Sequence, residues 1–284
     1  MNDSNLILFH WKKSQQTINK NLDILRQHSD KEAVHDIRVA IKKLRACLNL
    51  YIHLKQEPEW EYLLDKTRML FRVLGRQRDV EVCLELIPVY EKEAGSHYKE
   101  FSVYLQGLLK KTQAWTRKAL YQFRKKELAK AALLFRQDPD LSTNESILPR
   151  ILSIIDEHFS ELSKYLKQPH KVRQLLKEIF YWIHMLPPND AILQSYHGKE
   201  LHQLLDDLGS WQDQEALLAK VKHFRKDYLP HPFPEYLSLK TLESKLKEKK
   251  EKLVRDPLQK TRRLLEKIPK PIPEKSDRQE ADRL

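Results

Sequence analysis

The sequence predicts an all-α protein, and three observations support that prediction. Five glycines in 284 residues are few for a β-rich or glycine-loop protein, and residues that favour helices dominate. Apolar residues recur at helical spacing in successive segments. Two motifs recur in the same order, which indicates an internal duplication. We therefore expect two pseudo-symmetric helical-bundle lobes, followed by a charged C-terminal helix and tail.

The first motif is a basic stripe on one predicted helix. At about 100° per residue, its apolar and basic residues fall on opposite faces. The basic face carries His35, Arg38, Lys42 and Arg45. No carboxylate interrupts this stripe, so the i,i+4 pairing that relieves like-charge repulsion is missing. A solvated face is the plain alternative, but neighbouring cations favour an anion lying across them.

The same arrangement returns in the second half of the chain. His170, Arg173 and Lys177 repeat the spacing of the first three basic residues. Each basic motif is followed by Leu-Gly-x-x-x-Asp, at 74–79 and at 208–213. Because both motifs recur in order at nearly equal separation, we expect a duplicated unit.

Caps and prolines predict the helices of the first half. We expect a first helix over 3–28, then a motif helix that is capped within 29–30 and runs to about His53. The next helix begins at Pro58 and ends at Gly75 as a C-terminal cap.

The later helices follow from the same signals. Asp79 caps a short helix that is interrupted at Pro88, and the pattern is then nearly unbroken from 97 to 136. Residues 138–144 form a turn-rich connector, the natural boundary between lobes. The remaining predicted helices cover 146–166, 169–185, 190–208 and 212–228.

Further cations form rows on other predicted helices. Arg68, Arg72 and Arg76 lie at i, i+4 and i+8, and residues 109–136 contain nine basic residues against one acidic residue, Glu127. We expect these rows to face an anion, with a merely soluble face as the alternative. The candidate anion-contacting residues here are Arg72, Arg76, Arg78, Arg117 and Arg124.

The composition limits the class of partner and the compartment. Lysine and arginine (52) exceed aspartate and glutamate (40), giving a net charge of +12, which favours nucleic acid, anionic lipid or polyphosphate. Cys47 and Cys83 have no disulfide or zinc-site spacing, which favours a reducing compartment. The N-terminus does not resemble a signal peptide, and no apolar run approaches the ~20 residues that cross a bilayer. We therefore expect a cytoplasmic protein that does not enter the membrane.

Catalytic motifs are missing from the sequence. There is no P-loop, no H-E-x-x-H and no G-x-G-x-x-G. The pair His35-Asp36 lacks the further histidines and distal aspartate of metal-dependent phosphohydrolases, and the prenyl-synthase motif begun by Asp206-Asp207 fails at Ser210. We therefore expect no enzymatic activity, no cofactor and no metal site.

The repeated motifs resemble a known family. The pattern H-x-x-R-x-x-x-K-x-x-R followed by L-G-x-x-x-D, present twice, resembles the CHAD domain, the conserved histidine α-helical domain. The resemblance covers about residues 1–230. Members of that family are two-lobed helical bundles whose basic central groove binds inorganic polyphosphate. By resemblance, the phosphate contacts are His35, Arg38, Lys42, Arg45, His170, Arg173 and Lys177. Glu178 and Phe180 replace residues that are usually basic in the family, whereas Tyr181 fits its pattern.

These observations predict a CHAD-like domain over 1–230, with lobes at about 1–138 and 145–230. The extension 231–284 is expected to be a charged helix and flexible tail, with little to bury from residue 242 onward. The predicted function is binding of polyphosphate without turnover, in the cytoplasm, with association with polyphosphate granules left open. Non-specific nucleic-acid binding is one alternative, because charge alone gives it. A helical scaffold with a polyanion-binding tail is another, and such a scaffold could dock a protein partner through 235–268.

Overall fold

The computed structural model describes residues 5–141, 144–187, 194–229 and 233–268. Within these ranges the chain is helical and contains no strand, which confirms the all-α prediction. The α-helices are α1 (Leu6–Gln27), α2 (Lys31–Lys55), α3 (Asp65–Ala94), α4 (Lys99–Gln122), α5 (Lys126–Gln137), α6 (Asn144–Leu162), α7 (Pro169–Ile183), α8 (Gly198–Asp227) and α9 (Pro234–Lys267). Short 3-10 helices cover Pro58–Leu64, Pro139–Leu141 and Ser163–Tyr165. None of the helices in the described ranges is both long and apolar enough to cross a bilayer.

The basic motif helix α2 begins where its sequence predicts. The Asp30 side chain accepts a hydrogen bond from the backbone N–H of Ala33 at 2.7 Å, which confirms the predicted cap. Ile37, Ile41 and Leu44 are fully buried on the apolar face of α2. The opposite face is thereby held in a fixed direction by the core.

Several predicted helix ends are wrong. Gly75 lies inside α3 and Gly209 lies inside α8, so neither glycine ends a helix. Asp79 is also internal to α3 and does not cap a helix, and α3 continues through Pro88. A glycine inside a helix costs up to about 1 kcal/mol relative to alanine, so its position calls for a packing reason.

Other boundaries differ less. The segment predicted as one helix over 97–136 is divided into α4 and α5 by a break at residues 123–125. The helices predicted over 190–208 and 212–228 are one continuous helix, α8, and residues 190–193 lie outside the described ranges.

Two hydrophobic cores lie side by side, and each draws residues from both halves of the sequence. The first core contains the buried faces of α1, α2, α5, α6 and α7 together with the first halves of α3 and α8. The second contains the later part of α3, the first half of α4, the later part of α8 and the first half of α9. The long helices α3 and α8 therefore join the two cores, and the division of the chain into two lobes at 138–144 stays a prediction.

Helix α9 buries much more than the sequence suggests. Leu239, Leu242 and Leu246 are buried in the second core, and Leu264 is buried in the first. The Glu235 carboxylate accepts hydrogen bonds at 2.9 Å from two backbone N–H groups at the start of α4. The expectation of a charged helix with little to bury is therefore wrong, because its sparse leucines recur at helical spacing and line up against α8.

Candidate anion-binding site

The two basic motifs meet where α2 packs against α7. The indole of Trp182 in α7 donates a hydrogen bond at 2.8 Å to the carbonyl of Ala46 in α2, which fixes this crossing. On the same pair of helices, Lys42 and Lys177 are hydrogen-bonded to each other. The positive charges of Arg38 and Arg173 act on both lysines.

We call Arg38, Lys42, Arg173 and Lys177 the four-cation cluster. Each of these side chains is partly buried. None forms an ion pair within 4 Å with a carboxylate in the part of the chain that the structure describes. The cluster therefore concentrates positive charge that the protein itself does not neutralise at short range.

Arg38 is held by contacts with α3. Its Nη1 donates a hydrogen bond at 3.1 Å to the carbonyl of Phe71, and its guanidinium lies 4.5 Å from the centroid of the Phe71 ring. A Cβ atom built on Gly75 would lie 2.6 Å from the same Nη1. Gly75 is therefore needed for the close approach of Arg38, which explains a glycine inside α3.

Arg173 has a looser counterpart of this arrangement on α8. A Cβ atom on Gly209 would lie 3.8 Å from its Nη2, an ordinary contact distance. The Nε of Arg173 is buried and has no hydrogen-bond partner among the described atoms. An orphaned buried donor beside a basic cavity fits a site that receives an anion.

The aspartates of the two Leu-Gly-x-x-x-Asp motifs lie near the arginines. The negative charge of Asp79 acts on Arg38, and that of Asp213 acts on Arg173, in both cases raising a guanidinium pKa that burial lowers more strongly. Each aspartate lies one helical turn beyond its motif glycine. Each Leu-Gly-x-x-x-Asp motif thus places its glycine next to an arginine of the cluster and its carboxylate at longer range from the same arginine.

The lysines of the cluster lose much of their affinity for protons. Burial, and then the positive charges around it, lowers the pKa of Lys42 to about 8. The same causes lower the pKa of Lys177 to about 6. The two lysines together therefore hold fewer protons at neutral pH than two exposed lysines would.

A cavity of about 200 Å³ lies beside the cluster. Lys42 and Arg45 of α2 line one side, and His170, Arg173 and Lys177 of α7 line the other. Residues from both motifs therefore share one cavity.

Glu178 reduces the positive charge at the margin of this cavity. Its carboxylate accepts a hydrogen bond from Asn49 Nδ2 at 2.8 Å, and it also lines the cavity. Burial raises the pKa of Glu178, while the positive charge of Arg45 lowers it. The second motif therefore contributes a carboxylate that faces the last cation of the first motif.

The two motif histidines have different surroundings, and both are exposed. His170 Nε2 lies 2.8 Å from Glu215 Oε2, and its ring packs on Trp211 with centroids 4.5 Å apart. Lys250 of α9 lies 3.3 Å from the other oxygen of Glu215. His35 does not line the cavity. The motif histidines therefore lie at or beyond the margin of the site.

The remaining candidate cations do not line the cavity beside the four-cation cluster, although the positive charge of Arg78 acts on Arg38. Arg76 and Lys111 both contact the Trp115 ring, at 5.6 and 5.2 Å from its centroid, which brings the row on α3 next to the stripe on α4. Arg78 is paired with Glu85, with Nη–Oε distances of 3.3 and 3.4 Å, and so has fewer donors to offer an anion.

Three further candidates are exposed. Arg72 lies on α3, and Arg117 on α4. Arg124 follows α4 and lines a separate cavity of about 430 Å³. A role in anion binding for all three stays a prediction.

The structure adds contacts that sequence reasoning missed. Phe71 holds Arg38 through its carbonyl and its ring, and Glu215 holds His170. Phe71 lies four residues before the motif glycine, which is the only signal in the sequence that could have indicated it. No local pattern marks Glu215.

The fold and this site define a helical protein with basic side chains from two facing helices gathered around one cavity. A sequence model of the CHAD domain matches residues 11–222, and this chain therefore belongs to the CHAD domain family. The crystal structure of the CHAD domain from the plant Ricinus communis is similar, with a TM-score of 0.73, 17% sequence identity, and coverage of 95% of this chain and 93% of that chain. At this identity the likeness shows the fold alone. A search of curated protein sequences found no match.

Proposed function

We propose that this protein binds inorganic polyphosphate, without turning it over, at the four-cation cluster and along the cationic rows around it. The observation that carries the proposal is the meeting of two arginines and two lysines from facing helices, with no carboxylate of the described residues within 4 Å. The choice of ligand is supported by membership of the CHAD family. The resemblance of the repeated motifs to that family implies polyphosphate as the ligand.

The chemistry of the cluster suits a chain of phosphates. Arginine offers a planar fork of donors to phosphate oxygens, and lysine offers a compact charge. Successive phosphates can meet successive donors on α2 and α7, whereas bases add nothing that this site would recognise. An anion in the cavity also favours the charged form of Lys42 and Lys177, so that binding restores the protons that burial removes.

A competition assay tests the proposal on the full-length protein. Labelled long-chain polyphosphate is bound at physiological salt and displaced by unlabelled polyphosphate, ATP, duplex DNA or heparin. We expect polyphosphate to displace the probe at a concentration at least about tenfold lower, per phosphate or sulfate, than the other anions, because the site is shaped as well as charged.

Paired variants separate the site from the net charge. Replacing Arg38, Lys42 and Arg72 with glutamine should abolish the preference for polyphosphate. The control replaces Lys222, Lys226 and Lys240 with glutamine, three exposed lysines near the end of α8 and the start of α9 that do not line the cavity, so that both proteins lose three positive charges. Equal losses in the two triple variants would show that only surface charge is involved. Displacement by DNA as effective as by polyphosphate would favour the nucleic-acid alternative.

The alternative that a protein partner docks on α9 has a smaller surface available to it than the sequence suggests. Helix α9 buries Leu239, Leu242, Leu246 and Leu264 in the cores, so its outer face is left to a protein partner; that face is mainly charged and includes the exposed Leu237. A cytoplasmic location is part of the proposal and rests on the sequence, and association with polyphosphate granules stays open within it.

A further inference from the structure

Helix α4 exposes two aromatic rings that the proposed polyphosphate site does not use. Tyr121 is 92% exposed, and Trp115 is 39% exposed. Neither residue lines the cavity beside the four-cation cluster. A chain of phosphates has no flat apolar group to lie on these rings, so polyphosphate binding does not account for their exposure.

The surface around the two rings is cationic and has no acidic residue of α4 on it. Between Glu100 and Glu127 the sequence contains no aspartate or glutamate. The exposed cations on this surface include Arg72 and Arg76 of α3 and Lys111, Arg117 and Lys118 of α4. None of these five forms an ion pair within 4 Å in the part of the chain that the structure describes. We call the five cations, together with Trp115 and Tyr121, the α3–α4 face.

The cations lie directly beside the rings. The guanidinium of Arg76 lies 5.6 Å from the centroid of the Trp115 ring, and the amine of Lys111 lies 5.2 Å from it. Tyr121 has cations three and four residues before it, on the same side of α4. Each exposed ring is therefore flanked by positive charge.

The α3–α4 face ends at a cavity of about 430 Å³ between the two helices. Met69 and Phe123 give this cavity an apolar wall. Arg124 and Lys126 also line it, and neither forms an ion pair within 4 Å among the described residues. The cavity therefore offers an apolar surface with two unpaired cations beside it.

Ion pairs mark the edges of the face. Arg68 lies 3.0 Å from Glu61 and 3.1 Å from Asp65, and Lys125 lies 2.8 Å from Asp23. These border cations are neutralised by the protein itself. The positive charge that is left for a partner is thus concentrated around the two rings.

We propose that the α3–α4 face binds single-stranded nucleic acid. Bases stack on Trp115 and Tyr121, and phosphates contact the cations around the rings. Proteins that bind single strands without reading their sequence combine aromatic platforms and cations in this way. The ten helical steps from Lys111 to Tyr121 extend about 15 Å along α4, the length of about four stacked nucleotides. The face shares no residue with the four-cation cluster, so the inference stands apart from polyphosphate binding there.

Two other polyanionic partners fit the face less well. The bases of a duplex are already paired and stacked, so they are not free to lie on an exposed ring. A lipid surface is held by side chains that insert into it, and the exposed residues from 110 to 122 include no aliphatic side chain larger than alanine. An unpaired base can reach both rings, and the next base along the strand can enter the cavity beside Arg124 and Lys126.

Fluorescence anisotropy on the full-length protein tests the inference. The probe is a labelled oligothymidylate of about twelve nucleotides, within the usual range of site sizes, at physiological salt. It is compared with an abasic strand that carries the same number of phosphates. Stacking of two bases gains at least about tenfold in affinity, so the abasic strand should bind at least about tenfold more weakly. Equal affinities would show that charge alone is involved and would overturn the inference.

Substitutions of Tyr121 separate the ring from the fold. Because the side chain is almost fully exposed, Tyr121→Ala should leave the unfolding temperature unchanged while weakening oligothymidylate binding about tenfold. It should not affect the abasic strand, and Tyr121→Phe, which keeps the ring, should bind normally. Tyr228→Ala is the matched control, because Tyr228 is 59% exposed at the end of α8 and should not affect binding. Equal losses in the two alanine variants would contradict the stacking role.

The salt dependence counts the phosphate contacts. Each phosphate of a single strand that a cation neutralises changes the slope of log affinity against log salt by about −0.7. Lys118→Gln should therefore make the slope less steep by about 0.7, whereas Tyr121→Ala should leave it unchanged. Lys240→Gln removes the same charge from an exposed position on α9 and should have no effect on the slope. Equal changes in the two lysine variants would indicate a response to net charge and count against the face.

The outcomes are distinguishable from those of the polyphosphate assay. Lys42→Gln should weaken polyphosphate binding and leave oligothymidylate binding unchanged, and Tyr121→Ala should do the reverse. Ring-dependent binding of oligothymidylate in a protein without preference for polyphosphate would support this inference and contradict the proposed function. Vesicles of phosphatidylcholine and phosphatidylserine in equal parts provide the membrane arm. Ring-dependent binding to these vesicles, without binding of oligothymidylate, would assign the face to membranes and overturn the inference.

Discussion

Gly75 and Arg38 show how a single residue can position the site. An alanine methyl group at position 75 would lie 2.6 Å from Arg38 Nη1 and would push the guanidinium away from Phe71. The far end of an arginine moves at low cost, so the change should affect binding more than folding. Gly209 provides the matched position in α8, because its nearest neighbour would be 3.8 Å away.

We expect Gly75→Ala to weaken polyphosphate binding about tenfold, and Gly209→Ala to change it by less than about threefold. Both substitutions replace a helical glycine, so Gly209→Ala should raise the free energy of unfolding by about 0.5–1 kcal/mol. Calorimetric titration and urea unfolding measure the two effects. Equal losses of affinity in the two variants would show that the approach of Arg38 to Gly75 has no special role.

Lys177 should stabilise the site for its ligand while destabilising the free protein. Its folded pKa, about 6, lies far below that of an unfolded lysine, so the unfolded chain binds an extra proton between about pH 6 and pH 10. The contribution of Lys177 to the free energy of unfolding of the free protein therefore rises with pH across that window.

Substitution Lys177→Met should therefore raise the free energy of unfolding at pH 7 by about 1–3 kcal/mol and weaken polyphosphate binding. It should also remove the rise in stability with pH that this lysine produces. Lys43→Met, on the exposed side of α2, is the control and should change stability by less than about 0.5 kcal/mol. Destabilisation by Lys177→Met would contradict the depressed pKa.

The same lysines predict the pH dependence of binding. The free protein has pKa values of about 8 at Lys42 and about 6 at Lys177, and a bound polyanion raises both. The complex then holds more protons than its separate components, so affinity should fall as pH rises from about 6 to 9. Calorimetry in two buffers of different ionisation enthalpy measures the proton uptake.

Histidine variants test the source of that proton uptake. We expect the fall of polyphosphate affinity with pH to persist in the double variant His35→Gln/His170→Gln, because both histidines are exposed. That result would assign the proton uptake to the lysines. A flat profile in the unmodified protein would contradict the prediction, and loss of the profile in the double variant would assign it to the histidines.

At the scale of the elements, α2 and α7 are similar in sequence but unequal in charge. Glu178 of α7 accepts a hydrogen bond from Asn49 of α2 and lies at the margin of the cavity that Arg45 also lines. The carboxylate offsets part of the positive charge that α2 presents. We therefore expect the first motif helix to contribute more binding energy than the second.

Removing that carboxylate should tighten binding. In Glu178→Gln the amide oxygen can still accept from Asn49, so the structure is kept while one negative charge is lost. We expect polyphosphate affinity to rise by about threefold to tenfold, or about 1 kcal/mol, at physiological salt. Glu266→Gln, exposed on α9, makes the same change in net charge and should have little effect. An equal rise in both variants would indicate a response to net charge alone.

At the scale of the whole molecule, the last helix belongs to the fold. The four buried leucines of α9 each contribute about 1.5–3 kcal/mol by burial, and a domain of this kind has a total stability of about 5–15 kcal/mol. Residues 269–284, beyond the described ranges, contain four basic and four acidic residues, so they add no net charge.

Two truncations test this division. A chain ending at Ile268 should bind polyphosphate with unchanged affinity and salt dependence, and should unfold at the same temperature. A chain ending before α9, at residue 233, should lose cooperative thermal unfolding, because both cores are opened. A folded, fully stable protein without α9 would contradict the role that its leucines indicate, and loss of binding on removal of 269–284 would favour a polyanion-binding tail.

Local sequence determined much of this protein. The all-α class, the Asp30 cap and the separation of basic and apolar faces on α2 all depend on residues within a few turns of each other. The periodicity of a helix sets those relations without help from the rest of the chain. The repeated motifs also indicated that the basic residues of α2 and α7 correspond to each other.

Only the tertiary structure decided how those motifs work. The motif glycines looked like helix ends, but Gly75 is kept for the approach of Arg38 from another helix, and such a contact leaves no local pattern. The leucines of α9 looked too sparse to bury until α8 supplied a surface for them. The low pKa of Lys177 arises because helices distant in sequence bring cations together out of water, and charge state depends on that burial rather than on residue type.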